Sequence, residues 1–215
     1  MSLKAINIFY KLFFFSFFGL LYLYENLEAS ESFDYYNYIS QMKSFSASFR
    51  QYTYNENGSL EEDSAGKIIY KKNSKYILEY IKPNKIKFVS DGKFITTFDE
   101  ELQQVIIQSL DSIQHINIVD ILTKEEFVKS KFNLSINKNG SDIYIKFTSL
   151  NKINDLDIKI FMLLINNNKI KKITFKNDFD QNVIMDFDNF KMNVAILDSL
   201  FKIKIPKNFD VIVDK

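Results

Sequence analysis

The chain has 215 residues, of which 46% are hydrophobic. This length is enough for one domain with a substantial core, but too short for two once a targeting segment is set aside. The 28 basic and 27 acidic residues give a formal net charge of +1, which argues against charge-driven binding of nucleic acid. Cysteine is absent, which excludes disulfides, thiolate nucleophiles and sulfur-rich metal sites.

The N-terminus has the layout of an export signal. Two lysines precede an apolar run over residues 12–24, and the run ends abruptly at Glu25. We predict a cleavable signal over residues 1–29 and a single domain over residues 30–215. An uncleaved membrane anchor is the alternative. A membrane span needs roughly 20 apolar residues, and residues 6–24 approach this length if the side chain of the internal lysine extends to the lipid headgroups.

The first element after this segment is a helix. Residues 33–43 place tyrosine, isoleucine and methionine side chains at helical spacing, which predicts an amphipathic helix. In residues 45–50 apolar and polar side chains alternate, which predicts a half-buried strand directly after the helix. The polar and acidic residues 55–65 predict an exposed hairpin loop, and Gly66 opens a second strand.

Short strands continue the chain. Turn signals at residues 83–84 and 91–92, the second an Asp-Gly pair, separate three apolar segments between residues 75 and 98. Residues 103–107 add a further strand. Because sequential short strands joined by tight turns pair with their neighbours, we predict antiparallel pairing.

A second short helix is predicted where Ile118, Ile121 and Leu122 fall at i, i+3 and i+4 spacing. The remaining chain returns to strands, of which the last covers residues 201–205 and ends before Pro206. No repeat or low-complexity linker divides the sequence. We therefore predict a mainly β (α+β) architecture, with helices laid against one antiparallel sheet.

Two of the predicted strands are apolar on both faces. Residues 76–78 and 161–165 carry apolar side chains at every position, although an antiparallel sheet commonly gives one face to water. Both faces of these strands must therefore be covered. One explanation is a sandwich or a sheet wrapped by helices. The other is a curved, partly open barrel whose concave face is covered by the two amphipathic helices and leaves room for an apolar ligand.

Residues suited to catalysis are few. His115 is the single histidine and lies in a polar connection, with no nucleophile pattern around any serine. The adjacent carboxylates at residues 61–63, 100–101 and 125–126 are typical of solvated loops. Lysines interleaved with aromatics over residues 67–88 could form a nucleic-acid stacking platform, but strand alternation explains the same pattern. We predict no catalytic residue, no metal site and no cofactor, and we do not expect an enzyme.

The order of several short motifs carries a resemblance to a known family. The strand phrase SFSASFRQ at residues 44–51 follows the predicted signal and helix, and a strand ending in two lysines follows the polar loop. A proline and a VSDGK phrase then stand within residues 83–93. In this order the motifs resemble the periplasmic outer-membrane lipoprotein carrier family, LolA, from about residue 33 to residue 211.

The resemblance implies a fold and a function. The fold is an unclosed β-barrel formed by a single curved antiparallel sheet, with a helical lid over its concave apolar face. The function is that of a periplasmic carrier, which receives acylated lipoproteins from an inner-membrane ATP-driven release complex and delivers them to an outer-membrane lipoprotein receptor. We expect a monomer that binds no nucleic acid. A periplasmic lipid- or lipoprotein-sensing protein of similar fold is the alternative.

The resemblance also implies residues that face the acyl chains. Tyr76 and Leu78 align with the family's pocket positions, and the residues of the second predicted helix match its lid. We expect seven side chains to contact acyl chains, with ordinary core packing as the alternative: Phe49, Tyr76, Leu78, Phe88, Ile118, Ile121 and Leu122.

The latch of the lid is the point at which this sequence departs from the family. In the family an arginine after the basic strand residue bonds the lid in the closed state. Here that position is Lys72, and Asn73 stands where a proline normally follows. Because lysine lacks the planar fork of five donors, we expect Lys72 to cap lid carbonyls with fewer bonds and an easier opening. A surface lysine on a strand edge is the alternative.

Overall fold

The structure is a computed structural model that describes residues 33–112, 118–150, 160–177 and 179–214. The predicted export signal and His115 lie outside the described residues. From Asp34 onward the chain forms one compact unit. Within the described part of the chain, no helix is long and apolar enough to cross a membrane.

The unit is built on a 12-stranded sheet. Its strands are β1 (Ser44–Tyr54), β2 (Leu60–Lys71), β3 (Lys75–Lys82), β4 (Ile86–Asp91), β5 (Phe94–Asp99), β6 (Gln104–Ser109), β7 (Phe132–Asn139), β8 (Asp142–Ser149), β9 (Ile160–Asn166), β10 (Lys169–Lys176), β11 (Asn182–Met192) and β12 (Asp210–Asp214). The spatial order is β12-β6-β5-β4-β3-β2-β1-β11-β10-β9-β8-β7, so β12 and β7 are two open edges. The prediction of a mainly β chain with one unclosed sheet is confirmed.

The pairing departs from the prediction at one edge. Neighbouring strands from β6 to β7 in this order are antiparallel, but β12 runs parallel to β6. The chain between β11 and β12 crosses one face of the sheet before it reaches β6, and a crossover connection of this kind permits parallel pairing. The prediction of uniformly antiparallel strands is therefore wrong at β12.

Three short α-helices lie in the described chain: α1 (Tyr35–Ser40), α2 (Ile118–Thr123) and α3 (Glu125–Lys131). α1 begins where the Asp34 carboxylate accepts hydrogen bonds from the backbone N–H groups of Tyr36, at 3.0 Å, and Asn37, at 3.1 Å. α3 has two glutamates in its first turn and two lysines in its last, which suits the helix dipole. The two predicted helices are confirmed, whereas the prediction of a loop at residues 125–126 is wrong.

The β1–β2 hairpin is longer than predicted. Its loop covers residues 55–59, and β2 begins at Leu60. Glu62 of this extension pairs with Thr53 of β1. Strand residues whose side chains lie in water need no apolar alternation, because the ladder hydrogen bonds come from the backbone. The prediction of a loop over residues 55–65 is wrong for this reason.

Residues 201–205 do not form the predicted last strand. A 3₁₀ turn covers Asp198–Phe201, and an irregular segment leads from there to β12. Phe201 and Ile203 pack against the sheet. The alternation of apolar residues in this segment therefore reflects one-sided packing on a sheet and not strand pairing.

The α-helices lie on one face of the sheet. Tyr35 of α1 packs edge-on against Phe147 of β8 with ring centroids 5.2 Å apart, and the Thr123 side chain of α2 lies beside the Tyr70 hydroxyl of β2. The strand registers place Phe147 and Tyr70 on the same face. We call it the helix-covered face, and the other the opposite face.

The strands that are apolar on both faces differ in their cover. On the opposite face of β3, Ile77 is 7% exposed and packs with Val89 and Phe201. On the opposite face of β9, Met162 is 44% exposed. The prediction that both faces are covered is thus confirmed at β3 and wrong at β9.

Candidate functional site

An apolar row crosses six neighbouring strands on the helix-covered face. Side chains that stand opposite one another from β1 to β6 form this row: Ala47, Ile68, Leu78, Phe88, Thr97 and Ile106. Ile68 is fully buried, whereas Leu78, Phe88 and Ile106 are half-buried. The β3–β6 end of the row therefore offers apolar surface that remains partly accessible.

An aromatic cluster of Phe49, Tyr80 and Phe88 borders this row. The Tyr80 ring stands edge-on to Phe49, with centroids 5.2 Å apart, and edge-on to Phe88, with centroids 6.5 Å apart. The Tyr80 hydroxyl donates a hydrogen bond to Oε1 of Gln51 at 3.1 Å. Burial raises the pKa of Tyr80 to about 12, so the cluster is uncharged near neutral pH. Tyr80 was not among the predicted site residues, although strand alternation from Tyr76 and Leu78 indicates its face.

Gly66 makes room for the aromatic cluster. The ring of Phe49 lies across Gly66, and a Cβ atom at that position would stand 2.5 Å from Phe49 Cζ and closer still to the carbonyl oxygen of Glu79. Contacts of this length do not occur between real side chains. The glycine therefore allows the Phe49 ring to approach the backbone of β2 closely.

The helices are joined to one another by few polar contacts. The buried Tyr35 hydroxyl of α1 donates to the backbone carbonyl of Ile121 in α2 at 2.8 Å. The Lys129 ammonium of α3 lies 5.0 Å from the centroid of the Tyr36 ring. These contacts make α1, α2 and α3 one cover over the helix-covered face, which we call the helical cover.

The predicted acyl-contacting residues fall into two groups. Four are buried in the described structure: Phe49, Tyr76, Ile121 and Leu122. The other three are half-buried: Leu78, Phe88 and Ile118. Leu78 and Phe88 are brought directly opposite each other by the β3–β4 register. Acyl contact by these residues stays a prediction.

Lys72 lies in the turn that follows β2. Its backbone N–H donates to the carbonyl of Lys43 at 2.8 Å, and Asn73 and Ser74 after it have positive φ angles of 73° and 57°. The side chain is exposed, and no carboxylate of the described residues lies within ion-pair distance of its ammonium group. The latch at Lys72 stays a prediction.

The neighbouring Lys71 makes contacts that the sequence did not indicate. Its ammonium group donates to the carbonyl of Ile196 at 2.8 Å and lies 2.9 Å from Oδ1 of Asp198. Lys75 approaches the same carboxylate oxygen at 3.2 Å. Hydrogen bonds from Lys71 and then from Lys75 lower the pKa of Asp198. These bonds hold the C-terminal segment on the opposite face.

Comparison with known proteins places this fold in a family. A sequence model of the family described as outer membrane lipoprotein carrier protein LolA matches residues 40–204. The outer-membrane lipoprotein carrier protein of Campylobacter jejuni is 26% identical over 168 residues, which cover 78% of this chain and 85% of the relative. The Coxiella burnetii protein of the same name is 22% identical over 175 residues, which cover 81% and 82%.

A solved structure supports the fold alone. An uncharacterized conserved protein of Thermus thermophilus superposes with a TM-score of 0.54 at 10% identity, covering 84% of this chain and 97% of that protein. The family match includes the strands of the apolar row and the helices α2 and α3. The resemblance inferred from the motifs is confirmed. The chain belongs to the family of outer membrane lipoprotein carrier proteins, LolA.

Proposed function

We propose that this protein binds the acyl chains of lipoproteins on its helix-covered face and carries them to the outer membrane. The apolar row is the observation that carries the proposal. Its β3–β6 end is half-buried and therefore accessible to a ligand, and the chain belongs to a family of carriers. The relatives in Campylobacter jejuni and Coxiella burnetii are named outer-membrane lipoprotein carrier proteins.

Acyl chains gain free energy on such a surface. Each CH₂ group removed from water contributes about 0.8 kcal/mol, so a lipoprotein does not cross an aqueous space without a shield. Leu78 and Phe88 provide accessible apolar area, and Ile121 and Leu122 would add area if the helical cover swung aside. The cover then serves as the lid of the carrier.

Release requires an empty state of similar free energy. The α-helices of the cover are six or seven residues long, and helices of this length owe their stability to packing. In the empty protein these helices pack on the sheet. In the loaded protein the acyl chains of the cargo would occupy part of the sheet surface that the helices cover. Closure of the cover therefore competes with the cargo and limits its affinity.

The finer parts of the proposal follow from the family and the predicted export signal. The protein works in the periplasm as a monomer. It accepts lipoproteins from an inner-membrane ATP-driven release complex and passes them to an outer-membrane lipoprotein receptor. Residues 1–29 would direct the chain to this compartment and be removed there.

A release assay tests the proposal. Inner-membrane vesicles that carry the release complex and a radiolabelled lipoprotein are incubated with ATP and the protein, which is purified from the periplasm of cells that express the whole chain. We expect a soluble complex of protein and lipoprotein. Leu78→Asp and Phe88→Asp should abolish the complex, because a carboxylate on the apolar row opposes an acyl chain.

The matched control is Met162→Asp. Met162 is an exposed apolar residue on the opposite face, so its replacement should leave the soluble complex unchanged. Absence of a complex with the unsubstituted protein would contradict carriage. Equal yields from Leu78→Asp and Met162→Asp would contradict the assignment of the helix-covered face.

A further inference from the structure

Two partly open cavities lie on the opposite face of the sheet. They flank the C-terminal segment, residues 196–209, which we call the strap. The larger cavity has a volume of about 510 Å³ and the smaller about 420 Å³, and both are lined by Val89 of the sheet and Ile203 of the strap. Neither belongs to the apolar row or the helical cover.

The cavities exist because the strap is attached at its ends. Near its start, Asp198 accepts bonds from Lys71 and Lys75. Beyond its end, the N–H of Asp210 donates to the carbonyl of Gln103 at 2.9 Å. Among the described residues, no backbone hydrogen bond joins residues 203–205 to a strand. Side chains alone separate the middle of the strap from the sheet, and they leave space between them.

The larger cavity has an apolar part and a charged part. Val89 and Phe98 contribute to it from the opposite face of β4 and β5, and Leu200, Ile203 and Phe209 contribute from the strap. Its volume lies in the range of about 300–1,000 Å³ that holds small ligands in proteins. The apolar part of the cavity therefore suits a single apolar chain and not a folded partner.

The charge around this cavity is unbalanced. Four lysines line it against two glutamates. Lys87 lies 3.6 Å from Glu79 and Lys85 lies 3.8 Å from Glu100, so these two lysines already face carboxylates. The other two are Lys202 and Lys204 of the strap, and no carboxylate of the described residues lies within ion-pair distance of either. An anionic group of a ligand can pair with these two ammonium groups.

We propose that the larger cavity binds a long-chain fatty acid. The acyl chain lies along Val89, Phe98 and Ile203, and the carboxylate sits beside the ammonium groups of Lys202 and Lys204. The apolar side chains on the wall of the cavity account for binding of the acyl chain, and the two lysines without a carboxylate partner account for binding of the acidic head. The site is separate from the proposed carriage of lipoproteins and stands or falls independently of it.

Photolabelling locates the site. A palmitic acid that bears a diazirine is bound to the protein, irradiated, and mapped by mass spectrometry. We expect labelled peptides from residues 86–98 and 200–209, and we expect unmodified palmitate to compete. Labelling confined to the helical cover and the apolar row would overturn the proposal.

Charge reversal tests the assigned head group. The double variant Lys202→Glu/Lys204→Glu should weaken binding of palmitate about tenfold, since the palmitate carboxylate then meets two negative groups in place of two ammonium groups. Binding of the corresponding fatty alcohol should not change. Lys138→Glu/Lys146→Glu alters two exposed lysines on β7 and β8 and should leave palmitate binding unchanged.

The same variants separate this site from the carrier function. Lys202→Glu/Lys204→Glu should still form the soluble complex with a lipoprotein, and Leu78→Asp should still bind palmitate. The fatty-acid site would be overturned if Lys202→Glu/Lys204→Glu left the affinity for palmitate unchanged. It would also be overturned if Lys138→Glu/Lys146→Glu lowered that affinity equally. Neither result would bear on carriage of lipoproteins. Loss of palmitate binding in Leu78→Asp would also overturn the separate fatty-acid site.

Discussion

Gly66 lies under the ring of Phe49, where the aromatic cluster crosses β2. Any Cβ at this position meets the Phe49 ring and the Glu79 carbonyl, so a larger residue must push two strands apart or turn the ring out. Gly58 in the β1–β2 loop differs, because no atom lies within 4 Å of a Cβ built there. A larger residue at position 58 is disfavoured by the backbone φ of +79° alone. The two glycines are needed for different physical reasons.

Gly66→Ala should therefore lower the free energy of unfolding by about 3 kcal/mol, the upper part of the usual cost of overpacking. Gly58→Ala should lower it by about 1 kcal/mol through backbone strain. Urea denaturation followed by circular dichroism measures both. If Gly66→Ala cost no more than Gly58→Ala, the close approach of Phe49 to β2 would be in doubt.

Lys72 is the residue at which the latch is expected. Lys72→Leu removes the ammonium group from an exposed position and should not change the fold. If Lys72 caps carbonyls of the helical cover in the closed state, its loss favours the loaded state, and transfer to the receptor should slow about fivefold. Transfer of a radiolabelled lipoprotein from the protein to receptor-bearing vesicles measures this rate.

Two matched variants sharpen the latch experiment. Lys146→Leu makes the same change at an exposed lysine of β8, which is not an edge strand, and should leave transfer unchanged. Lys72→Arg restores the family's residue and should speed release, because the guanidinium offers more donors in a fixed geometry. If Lys72→Leu left the transfer rate unchanged, Lys72 would be a surface lysine with no part in closing the helical cover.

At the scale of elements, the helical cover depends on a contact between two helices. The Tyr35 hydroxyl satisfies the carbonyl of Ile121 near the C-terminal end of α2, where helix carbonyls lack partners of their own. Tyr35→Phe keeps the ring on Phe147 and leaves that buried carbonyl without its donor. The substitution should destabilise the cover by about 1–2 kcal/mol and leave the sheet in place.

Hydrogen exchange measures the result of Tyr35→Phe. Amide exchange should accelerate in α1 and α2 and stay unchanged in β1–β4. Tyr80→Phe is the matched control, because it removes a hydroxyl whose partner is Gln51 in the sheet. Equal acceleration of the helices by both variants, or no acceleration by Tyr35→Phe, would contradict a cover held by this bond.

At the scale of the whole molecule, an open sheet leaves two edges. β12 is five residues long and has Asp210 and Asp214 at its ends, and the outer half of β7 carries Lys138 among exposed residues. Short strands and charged residues at an edge oppose pairing with a second sheet. The protein should therefore be monomeric, as the proposed exchange of cargo with two membrane partners requires.

Light scattering after size-exclusion chromatography tests the monomer. A single species of monomer mass should persist as concentration rises. Lys138→Val removes a charge from the β7 edge and should promote dimers. A dimer of the unsubstituted protein, or no effect of Lys138→Val at high concentration, would contradict protection of the edges by charge.

Some elements were predictable because their signal is local. The alternation at residues 45–50 and the Asp-Gly turn at residues 91–92 indicated β1 and the β4–β5 hairpin, since a side-chain period of two arises within each strand. α3 and the outer part of β2 were not predictable in this way, because charged and polar residues occur in loops, exposed strands and helix ends alike.

The sequence by itself determined the apolar face. Leu78 and Phe88 lie on neighbouring strands joined by one turn, so pairing of their two strands could be expected from the sequence, and the register places the two residues directly opposite each other. The tertiary structure decided which apolar residues are buried under the cover and which remain accessible. It also decided the strap, because Lys75 and Asp198 stand 123 residues apart and no local period links them. A side-chain period acts within one element, whereas burial and charge pairing depend on elements that only folding brings together.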